Sequence, residues 1–188
     1  MRIVGGELRS RRLKTLPGAA TRPTSDKLRE TLFDVLGARV AGSVWYDCYA
    51  GSGAVGLEAL SRGAAFAVFV ERSGAAARVL RANVAALRVE PRCIILNQPV
   101  LTALAQAARP ADFIYLDPPY SAAGEYRRVL ELLGKGVALK AEGIVISEHA
   151  RRLPLDAQYG GLARYRVLEQ SDSALSFYRG PETGGWRL

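Results

Sequence analysis

The sequence is short of acid: its 188 residues set only 18 Asp plus Glu against 26 Lys plus Arg, a formal net charge of +8. Thiols and imidazoles are scarcer still, with two cysteines, Cys48 and Cys93, and one histidine, His149. With neither a CxxC nor accompanying histidines, the two cysteines argue against a disulfide framework and against a Cys/His zinc site, and no metal is expected. A serine or cysteine nucleophile would have to take its base from His149, and no GxSxG turn is present, so hydrolase triads are set aside. Long apolar runs are missing too. The longest uncharged stretch, Cys93–Ala108, is interrupted by Asn97, Gln98, Pro99, Thr102 and Gln106, which excludes a membrane span. Met1-Arg2-Ile3-Val4-Gly5-Gly6-Glu7 has a charge but no apolar segment or small-residue cleavage site behind it, and does not read as a signal peptide. A cytoplasmic location is the expectation, and no repeat or low-complexity linker breaks the chain.

What is present is ample core material. Hydrophobic residues make up 49% of the chain, and a compact chain of this size hides roughly 70% of its unfolded surface. One domain, or one domain with a small appendage, is expected. The positive charge is uneven. Residues 1–22 carry Arg2, Arg9, Arg11, Arg12, Lys14 and Arg22 against Glu7 alone, which is +5 of the +8. A basic arm on a nearly balanced body suits a polyanionic partner reached through phosphate contacts, while a merely solvated charged segment is the competing reading. The division expected is a basic extension over residues 1–22 and a main domain over 23–188.

Arg2-Ile3-Val4 and Leu8–Leu13, separated by Gly5-Gly6, suggest a small basic β-ribbon, followed by a turn at Pro17-Gly18. From there the period changes. Thr24 or Ser25 can cap a helix in which Leu28, Leu32, Phe33, Val35 and Leu36 recur at helical spacing up to Gly37. After Gly42, apolar runs at 43–46, 65–70, 93–96, 113–116 and 144–147 read as buried parallel strands. Helical segments at 54–61, 74–87, 101–108 and 125–133 lie between them. This β-α alternation implies an α/β, doubly wound sheet of Rossmann-like kind. The tail differs: 165–168 and 174–178 flank a polar turn with no helix, which suggests a C-terminal antiparallel hairpin.

The first constellation follows the first strand: Asp47-Cys48-Tyr49-Ala50-Gly51-Ser52-Gly53-Ala54-Val55-Gly56 puts a GxGxxG on a strand-to-helix turn, where glycine permits a tight turn and close approach of a ligand. Twenty residues after Gly51, at the end of the second strand, stands Glu71, an acid able to accept both ribose hydroxyls of a nucleoside. A dinucleotide and S-adenosylmethionine both fit so far. Asp47 separates them, because a carboxylate repels a pyrophosphate but suits the positive charges of a sulfonium-bearing amino acid. The alternative for Asp47 is a carboxylate that caps the next turn. Arg72 either flanks the adenine beside Glu71 or is an exposed arginine ahead of a helix.

In the second constellation, the fourth strand runs straight into Asp117-Pro118-Pro119-Tyr120. Ligands of open α/β sheets bind outside the carboxyl ends of strands, so the place suits chemistry. An exocyclic amine conjugated to a ring is a poor nucleophile, its lone pair being delocalised. If Asp117 accepts one N–H and the Pro118 carbonyl the other, the nitrogen can pyramidalise toward a methyl donor. The restricted φ of proline fixes both directions. Tyr120 offers a face on which an extruded base can stack, worth roughly 1–3 kcal/mol. A proline-rich turn whose aromatic merely covers the core is the competing reading.

Together these features resemble a class I S-adenosylmethionine-dependent N-methyltransferase. More narrowly, the blocks Arg22–Phe33, Gly51–Ala64 and Asp117–Tyr120, with Ser147-Glu148-His149 and Ala174–Arg179 in the tail, resemble the bacterial 16S rRNA guanine-N2 methyltransferase family acting on guanine 966. The resemblance covers nearly the whole chain. It implies a seven-stranded methyltransferase fold, S-adenosylmethionine as donor, and a guanine exocyclic amine of small-subunit ribosomal RNA, in the subunit or an assembly intermediate, as acceptor. It also implies that Arg2, Arg9, Arg11, Arg12 and Lys14 belong to an RNA-docking arm. Residues 22–33 would cover the donor pocket, with Arg22 and Thr24 near the methionine end, and Asp117 would serve donor as well as amine. Many relatives of this fold place an acid or small polar residue after the third strand to meet the adenine amino group. Here Asn97 or Gln98 stands there, and a surface loop is the other reading.

Cys48 and Cys93 are most simply packing residues, and His149 is either a substrate contact or a hydrogen-bonded structural histidine. A monomer is expected, since no extended heptad is evident. The rival activities are methylation of adenine N6, cytosine N4 or a glutamine side chain, a nicotinamide-dependent oxidoreductase, and a catalytically silent RNA-binding module.

Overall fold

The computed structural model describes residues 1–16, 25–119 and 123–180, with only the backbone of Ala123. The turn expected at Pro17-Gly18 and the site residues Arg22, Thr24 and Tyr120 lie outside the described residues. The chain divides into two compact units, Met1–Val100 and Leu101–Leu188.

The first unit opens with the basic ribbon. Arg2 and Arg12 form an antiparallel bridge, and the Ile3 and Leu13 amides donate to the carbonyls of Arg11 and Met1, each at 3.0 Å. The ribbon is narrower than its sequence suggests, because residues 5–10 turn rather than extend. Gly6 adopts φ +76°, and a Cβ there would lie 1.9 Å from the Ser61 carbonyl oxygen, so only glycine allows the ribbon this close. Ile3 and Leu13 point inward and are buried.

Helix α1 (Asp26–Leu36) starts where the Ser25 hydroxyl accepts from the Leu28 amide, with Asp26 in its first turn, both of which relieve the unpaired N-terminal amides. It stops at Gly37, φ +54°. Its face of Leu28, Leu32, Phe33 and Leu36 is buried, a burial worth roughly 1.5–3 kcal/mol per side chain at most. Strands β1 (Val44–Cys48), β2 (Phe66–Val70) and β3 (Cys93–Leu96) are joined by α2 (Ala54–Ser61) and α3 (Gly74–Leu87) and pair in parallel in the order β3-β2-β1. The register sets Cys48 beside Val70 and Val70 beside Leu96. The three carboxyl ends are therefore level, and Asp47, Glu71 and Asn97 all fall within one residue of that line.

In the second unit, after α4 (Val100–Ala105), come β4 (Ala111–Leu116), α5 (Ala123–Leu133), β5 (Leu139–Ala150), β6 (Gln158–Tyr159), β7 (Leu162–Gln170) and β8 (Ser173–Arg179). β4 and β5 are parallel, whereas β5, β8, β7 and β6 follow one another antiparallel. The expected tail hairpin is present as β7–β8. Two features exceed the expectation. β5 begins at Leu139 rather than Ile144, its first four residues exposed or half-buried and held by Lys140 Nζ on both Asp112 oxygens at 2.9 and 2.8 Å. Such a polar stretch carries no apolar run to betray it. The two-residue β6 brings the count to eight strands among the described residues, against the seven that the resemblance implies. The fourth helix is also shorter than its sequence suggests, ending at Ala105. Among the described residues, no helix is long and apolar enough to cross a membrane.

Candidate active site

The level carboxyl ends of β1, β2 and β3 carry a connected set of polar groups. The chain leaves β1 through Tyr49 at φ +66° and turns at Gly51 (φ +55°) and Gly53 (φ +82°) into α2. A Cβ on Gly53 would come 2.3 Å from Leu80 Cδ1, whereas beside Gly51 nothing lies within 4 Å. Gly53 is thus glycine for packing, and Gly51 borders open space. Glu71, half-buried, accepts from the Gly51 amide through Oε2 at 2.9 Å and from the Ser73 amide through Oε1 at 2.7 Å. Asn97 donates from Nδ2 to the Glu71 carbonyl at 2.7 Å. That contact fixes the orientation of the amide and leaves Oδ1 as an acceptor, the polarity an adenine amino group requires.

Asp47 is buried on β1 and accepts from the Gly56 amide in the first turn of α2 at 2.8 Å. The capping role weighed from sequence is therefore present. Burial pushes its carboxyl up to about 7 from the ordinary 3.8, opposed by the Gly56 hydrogen bond and assisted by the neighbouring charge of Glu71. A cationic group placed beside it would favour the ionised form. Of the remaining residues expected on the donor side, Arg72 is exposed and Gln98 half-buried, and among the described residues neither side chain hydrogen-bonds into this set.

Asp117 and Pro118 directly follow β4, Asp117 half-buried, Pro118 buried and Pro119 exposed. In the register of β4 on β5, Leu116 pairs with Ser147. Next to it Glu148 is buried and accepts from the Tyr115 hydroxyl, while its carbonyl accepts from Tyr126 Oη at 2.8 Å. His149 is satisfied internally. Its Nδ1 faces the Ala150 carbonyl at 3.0 Å and so donates, leaving Nε2 to accept from Ser176 Oγ at 2.9 Å. Burial lowers its pKa. This is the structural role weighed for it from sequence. Burial likewise raises both thiols, that of Cys93 up to about 11, so neither is a thiolate at neutral pH.

The five basic residues of the arm, Arg2, Arg9, Arg11, Arg12 and Lys14, are all exposed. Two of these side chains reach across the fold: Arg11 donates to the Ala86 carbonyl at 2.9 Å, and Arg2 lies 3.6 Å from Asp26. The anchors of the arm escaped the sequence reading. Glu58, fully buried in α2, accepts from the Val4 and Gly5 amides at 2.8 and 2.7 Å and from Arg62 Nε at 3.0 Å. Ser61 Oγ accepts from the Leu8 amide at 2.9 Å. Arg29, also fully buried, donates to the Arg2 carbonyl at 2.7 Å. The one available signal was a charged residue inside an otherwise apolar helix face. Among the described residues, no cluster of His, Cys, Asp and Glu could hold a metal ion.

A family model described as Conserved hypothetical protein 95 matches residues 1–179. Ribosomal RNA small subunit methyltransferase D of Escherichia coli strain K12 is 36% identical over 172 residues, covering 90% of this chain and 86% of that protein. The solved structure of yhhF from Escherichia coli superposes with a TM-score of 0.85 at 31% identity, covering 96% of this chain and 98% of that one. An RNA methyltransferase from Salinibacter ruber, in complex with S-adenosyl-L-homocysteine, shares the fold at a TM-score of 0.65 and 18% identity, covering 89% of this chain and 99% of that one.

Proposed function

The chain belongs to the family described as Conserved hypothetical protein 95, and on that premise we propose that it is a small-subunit ribosomal RNA methyltransferase that takes its methyl group from S-adenosylmethionine and places it on the exocyclic N2 of guanine 966 in 16S rRNA. The observation that carries this reading is similarity over 90% of the chain to Ribosomal RNA small subunit methyltransferase D, joined to a turn whose residues suit the donor. Glu71 stands where an acid accepts ribose hydroxyls, the space beside Gly51 is open, and Asn97 presents an acceptor. Asp47 supplies negative charge for the methionine end, to which we also assign Arg22 and Thr24. Arg72 and Gln98 are assigned to the rim of the adenine site. Residues 1–22, with Arg2, Arg9, Arg11, Arg12 and Lys14, act as the RNA-docking extension of the methyltransferase domain 23–188. The protein works as a monomer in the cytoplasm, on the small subunit or an assembly intermediate.

When bound, the donor supplies a sulfonium-activated methyl group. On the acceptor side, Asp117 and the Pro118 carbonyl each accept one N–H of the guanine amine, turning the nitrogen lone pair out of conjugation and toward the methyl carbon. Tyr120 stacks on the base. Asp117 also serves the donor side. Transfer is direct, with inversion at carbon: the N–C bond forms as the C–S bond breaks, and one amine proton is lost with or after transfer, so no strong base is required.

The test is transfer of labelled methyl from S-adenosylmethionine to small ribosomal subunits lacking native modification, followed by nucleoside analysis, with Asp117→Ala as control. N2-methylguanosine in the wild-type reaction and none in the control is the expected result. Methyladenosine or methylcytidine would replace the base assignment, and label confined to protein would replace the substrate.

A further inference from the structure

One buried side chain ties the glycine turn to the basic arm. Asn83 lies in α3 and is 2% exposed. Its Oδ1 accepts from the Lys14 amide at 2.8 Å, and its Nδ2 donates both to the Lys14 carbonyl at 3.0 Å and to the Ser52 carbonyl at 2.9 Å. Toward Lys14 the amide acts as an extra residue of a β-bridge, satisfying N–H and C=O together. Toward Ser52 it spends its remaining N–H on the middle residue of Gly51-Ser52-Gly53. A carboxamide has two donor hydrogens, and both are used here. The Ser52 hydroxyl adds a weaker contact to Met1 Sδ at 3.7 Å. The turn is therefore held at two points: Glu71 grips Gly51, and Asn83 grips Ser52 and, through the same amide group, Lys14 of the arm.

We infer that Asn83 is a positioning residue that couples donor binding at the glycine turn to RNA binding at the N-terminal arm. The inference rests on the functional reading above, which places the donor at the turn and RNA at the arm. A ligand that orders the turn in the geometry Asn83 requires also orders Lys14, and an RNA that immobilises the arm returns the same free energy to the donor, because coupling between sites is reciprocal. Glu58 and Ser61 fix the first half of the arm to α2, without touching the turn's Ser52. Asn83 hydrogen-bonds both to Lys14 and to the turn.

The test measures the affinity for labelled S-adenosylhomocysteine by equilibrium dialysis, with the full chain alone and with saturating unmethylated small ribosomal subunits. Wild type, Asn83→Ala and the isosteric Asn83→Asp are compared. Asn83→Asp keeps an acceptor for the Lys14 amide and loses both donors. In wild type the subunit is expected to tighten S-adenosylhomocysteine by about fivefold or more, within the usual range of coupling between sites. In both variants that factor falls below about twofold, although each ligand alone still binds. Unchanged coupling in the variants, or none in wild type, overturns the inference. A second measurement needs no variant: S-adenosylhomocysteine added to the wild-type chain without RNA should slow amide exchange at Lys14 as well as at Gly51 and Gly53. Slowing confined to the turn also overturns it. Failure of wild type to bind S-adenosylhomocysteine at all is a separate outcome, and removes the functional reading along with the coupling.

Discussion

The turn after β1 and the turn after β4 fix polar groups by different physical means. After β1 the work is done by side chains: Glu71, Asp47 and Asn83 each bond to backbone groups of the turn or of the helix behind it. After β4, Pro118 and Pro119 restrict φ through their own rings. The first arrangement depends on protonation and on partners distant in sequence, whereas the φ restriction of the second is written into covalent structure. A hydrogen-bonded turn can respond to a ligand or to pH. A proline turn keeps its restricted φ under all conditions, which suits the role proposed for Asp117 and Pro118.

Asp117→Ala tests the proline-built half most severely. Turnover should fall on the order of a hundredfold to a thousandfold, the loss found when one transition-state hydrogen-bond partner is removed, with S-adenosylhomocysteine affinity nearly unchanged. A comparable loss in affinity would break the division of labour.

Asp47→Asn tests the pH sensitivity of the other half. With its folded-state carboxyl at about 7 against an ordinary 3.8, Asp47 favours the folded state fully below the lower value, and that contribution is lost as pH rises through the upper one. Asparagine keeps an acceptor for the Gly56 amide at every pH. Wild-type melting temperature should therefore fall relative to Asp47→Asn between pH 4 and 8, by a free energy on the order of a few kcal/mol. Parallel melting curves across that range would show that the carboxyl titrates normally.

For Glu71→Ala, removal of hydrogen bonds to a charged group should weaken donor binding by about 1.5–3 kcal/mol, visible as a raised KM for S-adenosylmethionine with kcat largely kept. A fall in kcat alone would assign Glu71 a different task. The smallest contrast lies between the two glycines. Gly53→Ala combines φ +82° with a 2.3 Å approach to Leu80 and should cost about 1–3 kcal/mol of stability. Gly51→Ala meets open space, so it should destabilise less and instead weaken donor binding. Equal melting temperatures for the two variants would contradict this division.

Local signals were readable where local physics decides. Ser25 caps α1 and Gly37 ends it because a hydroxyl and a missing Cβ act on their own neighbours. α2 and α3 begin and end where glycine, serine and apolar period place them, and Asp117-Pro118 falls at the end of β4 because an apolar run stops there. Misreadings arose where the deciding partner is remote. The exposed start of β5 is stabilised by Asp112, 28 residues from Lys140, and offers no apolar run. Asn83 reads as one polar residue in an alanine-rich helix, since Lys14, 69 residues away, gives no sign of needing it. Arg29 and Glu58 are charged residues whose one local mark of burial is their place on an otherwise apolar helix face.

The sequence by itself determined the parallel α/β order, the glycine turn, the Asp-Pro-Pro segment and the concentration of charge in the arm, because periodicity, backbone freedom and composition act over a few residues. Only the tertiary structure decided that Asp47 caps α2 from a buried position, that Glu71 closes on Gly51, and that Asn83 joins the arm to the turn. Those contacts depend on the level ends of β1, β2 and β3 and on a buried environment in which every backbone amide and carbonyl must find a partner, and neither condition exists until the chain has folded.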